Sequence, residues 1–183
     1  MNLIKKLLLF SFLMGIYFAT YAQVEVARLQ SKDFSATGFG AFLNFSFPLT
    51  QDDAVIAEGA FYYFKHNDNN VAIAPVLLGY RHLLTGPDYG FYLEPVLGYS
   101  FGGTDIQKTD GAGNYLFKPD GNELDQKVTG ATAGLGFGYL FEPSGRIQFN
   151  VSIRYEHTFV SGDPSLNVLA LRISHSFSFG RRD

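Results

Sequence analysis

The sequence predicts an all-β fold: an antiparallel up-and-down transmembrane β-barrel of eight strands. Three observations lead there. Blocks of apolar–polar alternation recur along the chain, as in IQFNVSIRYEHTF (147–159). There Ile147, Phe149, Val151, Ile153, Tyr155 and Phe159 alternate with Gln148, Asn150, Ser152, Arg154, Glu156 and Thr158. A period of two marks a strand with two unlike faces. The composition, with 19 Phe, 11 Tyr and 20 Gly, favours strands and tight turns over helices. Turn signals separate the blocks, and no block carries a convincing amphipathic helix pattern.

At 183 residues the chain suits one domain. Its start, MNLIKKLLLFSFLMGIYFATYAQ, reads as a signal peptide over 1–22. Lys5 and Lys6 form the charged start, Leu7 to Phe18 the apolar run, and Thr20 and Ala22 the small-residue positions before a cut at Ala22–Gln23. The apolar run is short for a membrane helix. The remaining 23–183 form the barrel domain. Its first strand, Val24–Gln30, is weak and ends at SKDFS. The second, 37–47, ends at PLTQDD, and the third, 55–65, ends at HNDNN. The fourth, 71–84, ends at TGPDY. The fifth, 90–102, leads into the long polar loop 104–127. The sixth, 128–141, ends at EPSG. The seventh is the stretch quoted above, and after SGDPS the eighth covers 167–179.

The connections alternate in kind. The second, fourth and sixth are short and each contains a proline, whereas the one long loop is the fifth. Short turns at one end and longer loops at the other are the pattern of barrels in an outer membrane, where the long loops are extracellular. An even strand number also returns both termini to the short-turn end.

Volume decides which face meets water. The apolar face carries about thirty large side chains, more than an eight-stranded interior can hold. The other face is read as Gly, Ser, Asn and Thr with a few charges, small enough for a narrow bore. The apolar face therefore points outward, which only lipid tolerates. Closure leaves no strand edge for lipid to meet. Tyr63, Tyr80, Tyr99, Tyr139 and Tyr155 supply part of the interfacial aromatic girdles.

On these features the chain resembles the small, eight-stranded outer-membrane β-barrel family of Gram-negative bacteria, over residues 24–180. The signal peptide, the alternating strands, the loop asymmetry and the aromatic last strand RISHSFSF carry the resemblance. It implies placement in the cell outer membrane, contact with outer-membrane lipid, and recognition of the last strand by the outer-membrane assembly machinery. Family members usually end on an aromatic residue. Here Phe179 is followed by Gly180, Arg181, Arg182 and Asp183.

The chemistry-bearing residues are few. The formal charge of −3 offers no basic field, so a nucleic-acid partner is not expected. With no cysteine, a disulfide framework and Cys-based zinc sites are excluded. No catalytic residue, metal site or cofactor is expected. The inward face gathers Glu58, Glu94 and Glu156 with Arg81, Arg154 and Arg172, and buried charges must be paired. We expect them to form a salt-bridge network that plugs the bore; a charged selective pore is the functional alternative. Asp105, Asp110, Asp120, Glu123 and Asp125 lie among glycines in loop 104–127 without EF-hand spacing. They read as a solvated surface, and the loop is the best candidate for an extracellular partner. The glycines of TGFGAF and GLGFGY precede no helix, so they read as room for curvature and interior packing.

The expected role is a structural, adhesive or envelope-assembly one, without catalysis. Two alternatives stay open. The resemblance implies a lipid-modifying enzyme acting on lipid A acyl chains through a His/Ser-type site, for which His157 and Ser161 are the candidates. The other is a soluble periplasmic barrel binding a small apolar ligand. His175 shares the outward parity of His157 on the neighbouring strand, and His66 and His82 complete the set.

Overall fold

The computed structural model describes residues 23–32, 34–67, 69–110, 112, 114–118, 124–141 and 147–177. Eight strands follow one another: β1 (Gln23–Gln30), β2 (Ser35–Pro48), β3 (Asp53–His66), β4 (Asn69–Leu83), β5 (Gly90–Thr104), β6 (Gly130–Leu140), β7 (Ile147–Val160) and β8 (Leu166–Phe177). Each pairs antiparallel with the next. β1 pairs with β8, from Val24 opposite Ile173 to Gln30 opposite Asn167, and this closes the barrel. The fold is the predicted up-and-down barrel. The weak first strand is a full member of the wall, because it supplies the closing seam. The signal peptide, the EPSG turn, Asp120, Glu123 and Phe179 lie outside the described residues.

The register sets the shape. From His157 the paired row runs one way through Asn167 and Gln30 to Ser35 on β2. The other way it runs through Ala133, Leu97, Leu78 and Ala57 to Phe45, also on β2. The two ends lie ten residues apart on the same strand, and this is the stagger of the barrel. With strands about 4.8 Å apart and a rise of about 3.3 Å per residue, the strands tilt by roughly 40°.

Local chemistry ends the strands at the short-turn end. Between β2 and β3 the Thr50 hydroxyl accepts from the backbone N–H groups of Asp52 (3.2 Å) and Asp53 (3.0 Å) and donates to the Asp53 carboxylate at 2.9 Å. Between β4 and β5, Gly90 sits at a φ of +126°, and a β-carbon there would lie 2.1 Å from the Thr85 hydroxyl. That hydroxyl instead accepts from the Phe91 N–H at 2.9 Å.

The two faces of the wall differ as volume requires. Phe39, Leu78, Leu97, Leu135 and Phe159 point outward and are more than half exposed, whereas Tyr62, Phe64, Glu94 and Arg172 point inward and are buried. The inward face departs from the expectation of small polar residues alone. Toward the long-loop end it is a packed apolar core of Leu29, Phe42, Tyr62, Phe64, Val71, Ile73 and Val168. The interior is therefore layered, with charges across the middle and apolar side chains toward the long-loop mouth.

Candidate functional site

The middle layer is an ion-pair chain. Arg81 Nη2 lies 2.6 Å from Glu94 Oε2, and Glu94 Oε1 meets Arg154 Nη2. Arg154 Nη1 lies 2.6 Å from Glu58 Oε1 and 3.8 Å from Glu156 Oε1. Arg172 then joins Glu58 Oε2 at 2.9 Å to Glu25 Oε2 at 3.0 Å. All seven side chains are buried. The structure thus brings together all six residues singled out in the sequence. It adds Glu25, so four carboxyl groups meet three guanidinium groups instead of three meeting three. Glu25 pairs directly with Arg172 across the β1–β8 seam, and its signal was parity: it alternates with Val24 and Val26, which face out.

Glycines let the charges reach one another. Glu94 and Arg154 are both paired with Gly136, one on each side of β6. With no side chain at Gly136, the Arg154 guanidinium crosses that strand to Glu94. Gly40 stands in the same way between Glu25 and Tyr62. A β-carbon at Gly40 would come within 2.7 Å of Glu25 Cγ and 2.8 Å of Tyr62 Cδ1. Tyr62 places its hydroxyl 3.4 Å from Glu25 Oε2 and 3.3 Å from Glu156 Oε1, so it can donate to either. Aromatic faces cover the cations: Arg172 lies 3.5 Å above the Phe42 ring and Arg81 4.5 Å above that of Tyr92. Nearer the short-turn end, the Tyr92 hydroxyl donates to Asn150 at 3.0 Å.

The long loop packs over the mouth at its own end of the barrel. Lys108, Leu116 and Leu124 exchange backbone hydrogen bonds, and Ile106 packs on the apolar core. The Lys108 ammonium lies 2.7 Å from Asp163 and donates to the Gly162 carbonyl at 2.8 Å, tying this loop to the β7–β8 loop. Two of the acidic residues make local hydrogen bonds: Asp105 accepts from Asn70 of β4 at 3.0 Å, and Asp110 accepts from the N–H groups of Ala112 and Asn114 at 2.8 Å. Among the described residues no group of three or more His, Asp or Glu side chains is placed to hold a metal ion. Tyr115 and Phe117 are exposed on the loop.

His157 and Ser161 are not brought together. His157 lies on β7, whereas Ser161 is exposed in the turn beyond the strand's end at Val160. The His157 ring instead holds Asn167 Oδ1 at 2.8 Å, which also accepts from the Tyr155 hydroxyl at 2.6 Å. At the short-turn rim, Asp53 Oδ1 accepts from the Tyr80 hydroxyl at 2.5 Å and faces His82 Nδ1 at 2.7 Å.

The wall is closed and eight-stranded, apolar outside and filled inside. The chain has the fold of a small outer-membrane β-barrel. Neisserial surface protein A matches it with a TM-score of 0.66 at 15% identity, over 86% of this chain and 94% of that one. Ail, the attachment invasion locus protein of Yersinia pestis, matches with a TM-score of 0.56 at 15% identity, over 84% and 93%. Ail in complex with the heparin analogue sucrose octasulfate gives 0.55 at 16% identity, over 84% and 94%. At these identities the likeness is one of fold. No family model and no curated protein sequence matches the chain.

Proposed function

We propose that the chain is an integral outer-membrane β-barrel protein with a structural, adhesive or envelope-assembly role and no catalytic activity. In this reading 1–22 is a cleaved signal peptide, and loop 104–127 is displayed outside the cell. The ionic layer is a structural plug. The observation that carries the reading is the pairing of an apolar outer wall with a bore closed twice, by the charged layer and by the apolar core above it. Such a barrel is a scaffold for its loops.

Within that range the loop favours adhesion, through its exposed Tyr115 and Phe117. Its charge narrows the partner. Loop 104–127 has five acidic residues against Lys108, Lys118 and Lys127. That balance disfavours a polyanion such as the one Ail was crystallised with, and favours a neutral or basic surface that accepts aromatic side chains. Outer-membrane lipid surrounds the wall, and the assembly machinery engages the last strand.

Cell fractionation with surface proteolysis tests the reading. The protein stays with the membrane in carbonate and leaves it only in detergent, and protease added to whole cells cuts within 104–127. Release by carbonate alone, or a loop cut only after the cells are opened, would overturn it.

A further inference from the structure

The outward face is low along one strand. On β4 the outward residues Ala72 and Ala74 are half-buried, whereas Phe61 and Tyr63 of β3 and Tyr99 and Phe101 of β5 stand exposed on either side. Ala72 pairs with Tyr63 and Gly103, and Ala74 with Phe101. A β-carbon added at Gly103 would meet nothing within 4 Å, so the face is open there too. Two convex walls that meet touch along one strand and diverge on both sides of it. Small side chains on β4 let such walls come close, and the flanking rings are large enough to fill the widening gap.

The long-loop end of the same strip carries two opposite charges. Lys65 pairs with Asn70, and on the other side of β4 the Asp105 N–H donates to the Asn70 carbonyl at 3.1 Å. Lys65 and Asp105 are both exposed, and among the described residues neither forms an ion pair. They stand two strand spacings apart, about 10 Å, with Asn70 between them. Asn70 is held in place: it accepts from the Tyr63 hydroxyl at 2.6 Å and donates to the Asp105 carboxylate at 3.0 Å. The patch is thus centred on β4, with a cation on its β3 side and an anion on its β5 side.

We propose that this face is the contact between two copies of the chain, related by a two-fold axis along the membrane normal that passes through β4. The proposal rests on the membrane placement given under Proposed function. A two-fold axis sets Lys65 of each copy against Asp105 of the other, so the charges are satisfied twice. Strand tilt offsets the two groups by about 6 Å along the axis, which a lysine side chain spans. Toward the short-turn end the rings of β3 in one copy face those of β5 in the other. Lipid is a poorer match, because an anionic headgroup that suits Lys65 is repelled by Asp105. A comparable low strip on β6, Ala131 and Ala133, lies between Tyr99 and Leu97 of β5 and Phe159 and His157 of β7, with no pair of opposite charges.

The chain has no cysteine, so a single introduced one reports the contact. The mature barrel carrying Ala72→Cys is reconstituted at low density in phospholipid vesicles and oxidised with copper–phenanthroline. It should give about tenfold more covalent dimer than Ala131→Cys on the β6 strip. Lys65→Glu or Asp105→Lys, each added to Ala72→Cys, should lower the yield about tenfold, because each sets like charges together at both contacts. Mixing these two variants in one vesicle should restore the yield, since a mixed pair regains opposite charges at both contacts. Heat-modifiable gel mobility shows that every variant is folded. Equal yields from Ala72→Cys and Ala131→Cys would mean that lipid alone covers the face, and would overturn the proposal. So would a yield that the charge variants leave unchanged, or one that mixing does not restore. Each of these results leaves the membrane reading intact, whereas extraction by carbonate without detergent would overturn both.

Discussion

Arg154 and Arg28 lie in the same wall and differ in the side to which they point and in their depth along it. Arg154 faces inward, is buried, and stands within 4.0 Å of three carboxylates, those of Glu58, Glu94 and Glu156. Arg28 faces outward, is exposed, and reaches a single hydroxyl. Inside the barrel neither water nor lipid can answer a charge, so the protein supplies every partner. At the long-loop rim the surroundings can answer it, and the protein leaves the charge open. Parity in a strand thus separates a cation that holds the fold together from one left open at the surface.

Removing charge from the inner position has the largest expected effect. Arg154→Ala takes a guanidinium from three buried carboxylates, leaves Glu156 with no ion pair among the described residues, and should cost about 3–5 kcal/mol. The readout is the urea midpoint of the detergent-folded barrel, and an unchanged midpoint would mean that the layer is not a structural plug. Deleting bulk from the core above it comes next. Phe64→Ala opens a cavity in the apolar layer and should cost about 3 kcal/mol. In planar bilayers the variant should still not conduct, because the ionic layer remains. A steady current would show that the core alone seals the bore.

Smaller effects sharpen the same contrast. Tyr62→Phe removes the hydroxyl between Glu25 and Glu156 and should cost about 1–2 kcal/mol, seen as a lower midpoint. Arg28→Gln should change the midpoint by less than about 0.5 kcal/mol, since the residue is exposed and its one described hydrogen bond is to a hydroxyl. A loss as large as that from Arg154→Ala would place Arg28 among the structural charges and erase the distinction.

Where the two faces of a strand differ, the sequence showed them plainly. The alternation in β7 by itself places Arg154 and Glu156 inside and Tyr155 and His157 outside. It fell silent where both faces are apolar. FYYF at 61–64 and AFLNF at 41–45 are large on both sides, so period two could not reveal that Tyr62, Phe64 and Phe42 fill the long-loop half of the bore. Glu25 was legible by parity but sits on a strand of only 8 residues, next to the expected signal-peptide cut. The contact between Glu94 and Arg154 was beyond the sequence in another way. It depends on a register that places Gly136 between them, and registers come from the whole barrel.

The central claim is that the apolar face meets lipid, and the absence of cysteine from the chain makes it directly testable. A fluorophore is attached to Leu135→Cys on the wall and, separately, to Tyr115→Cys on the long loop, and each protein is placed in phospholipid vesicles. The account predicts that brominated acyl chains quench the label at 135 but not at 115, and that aqueous iodide does the reverse. A label at 135 that iodide quenches and brominated lipid does not would contradict it.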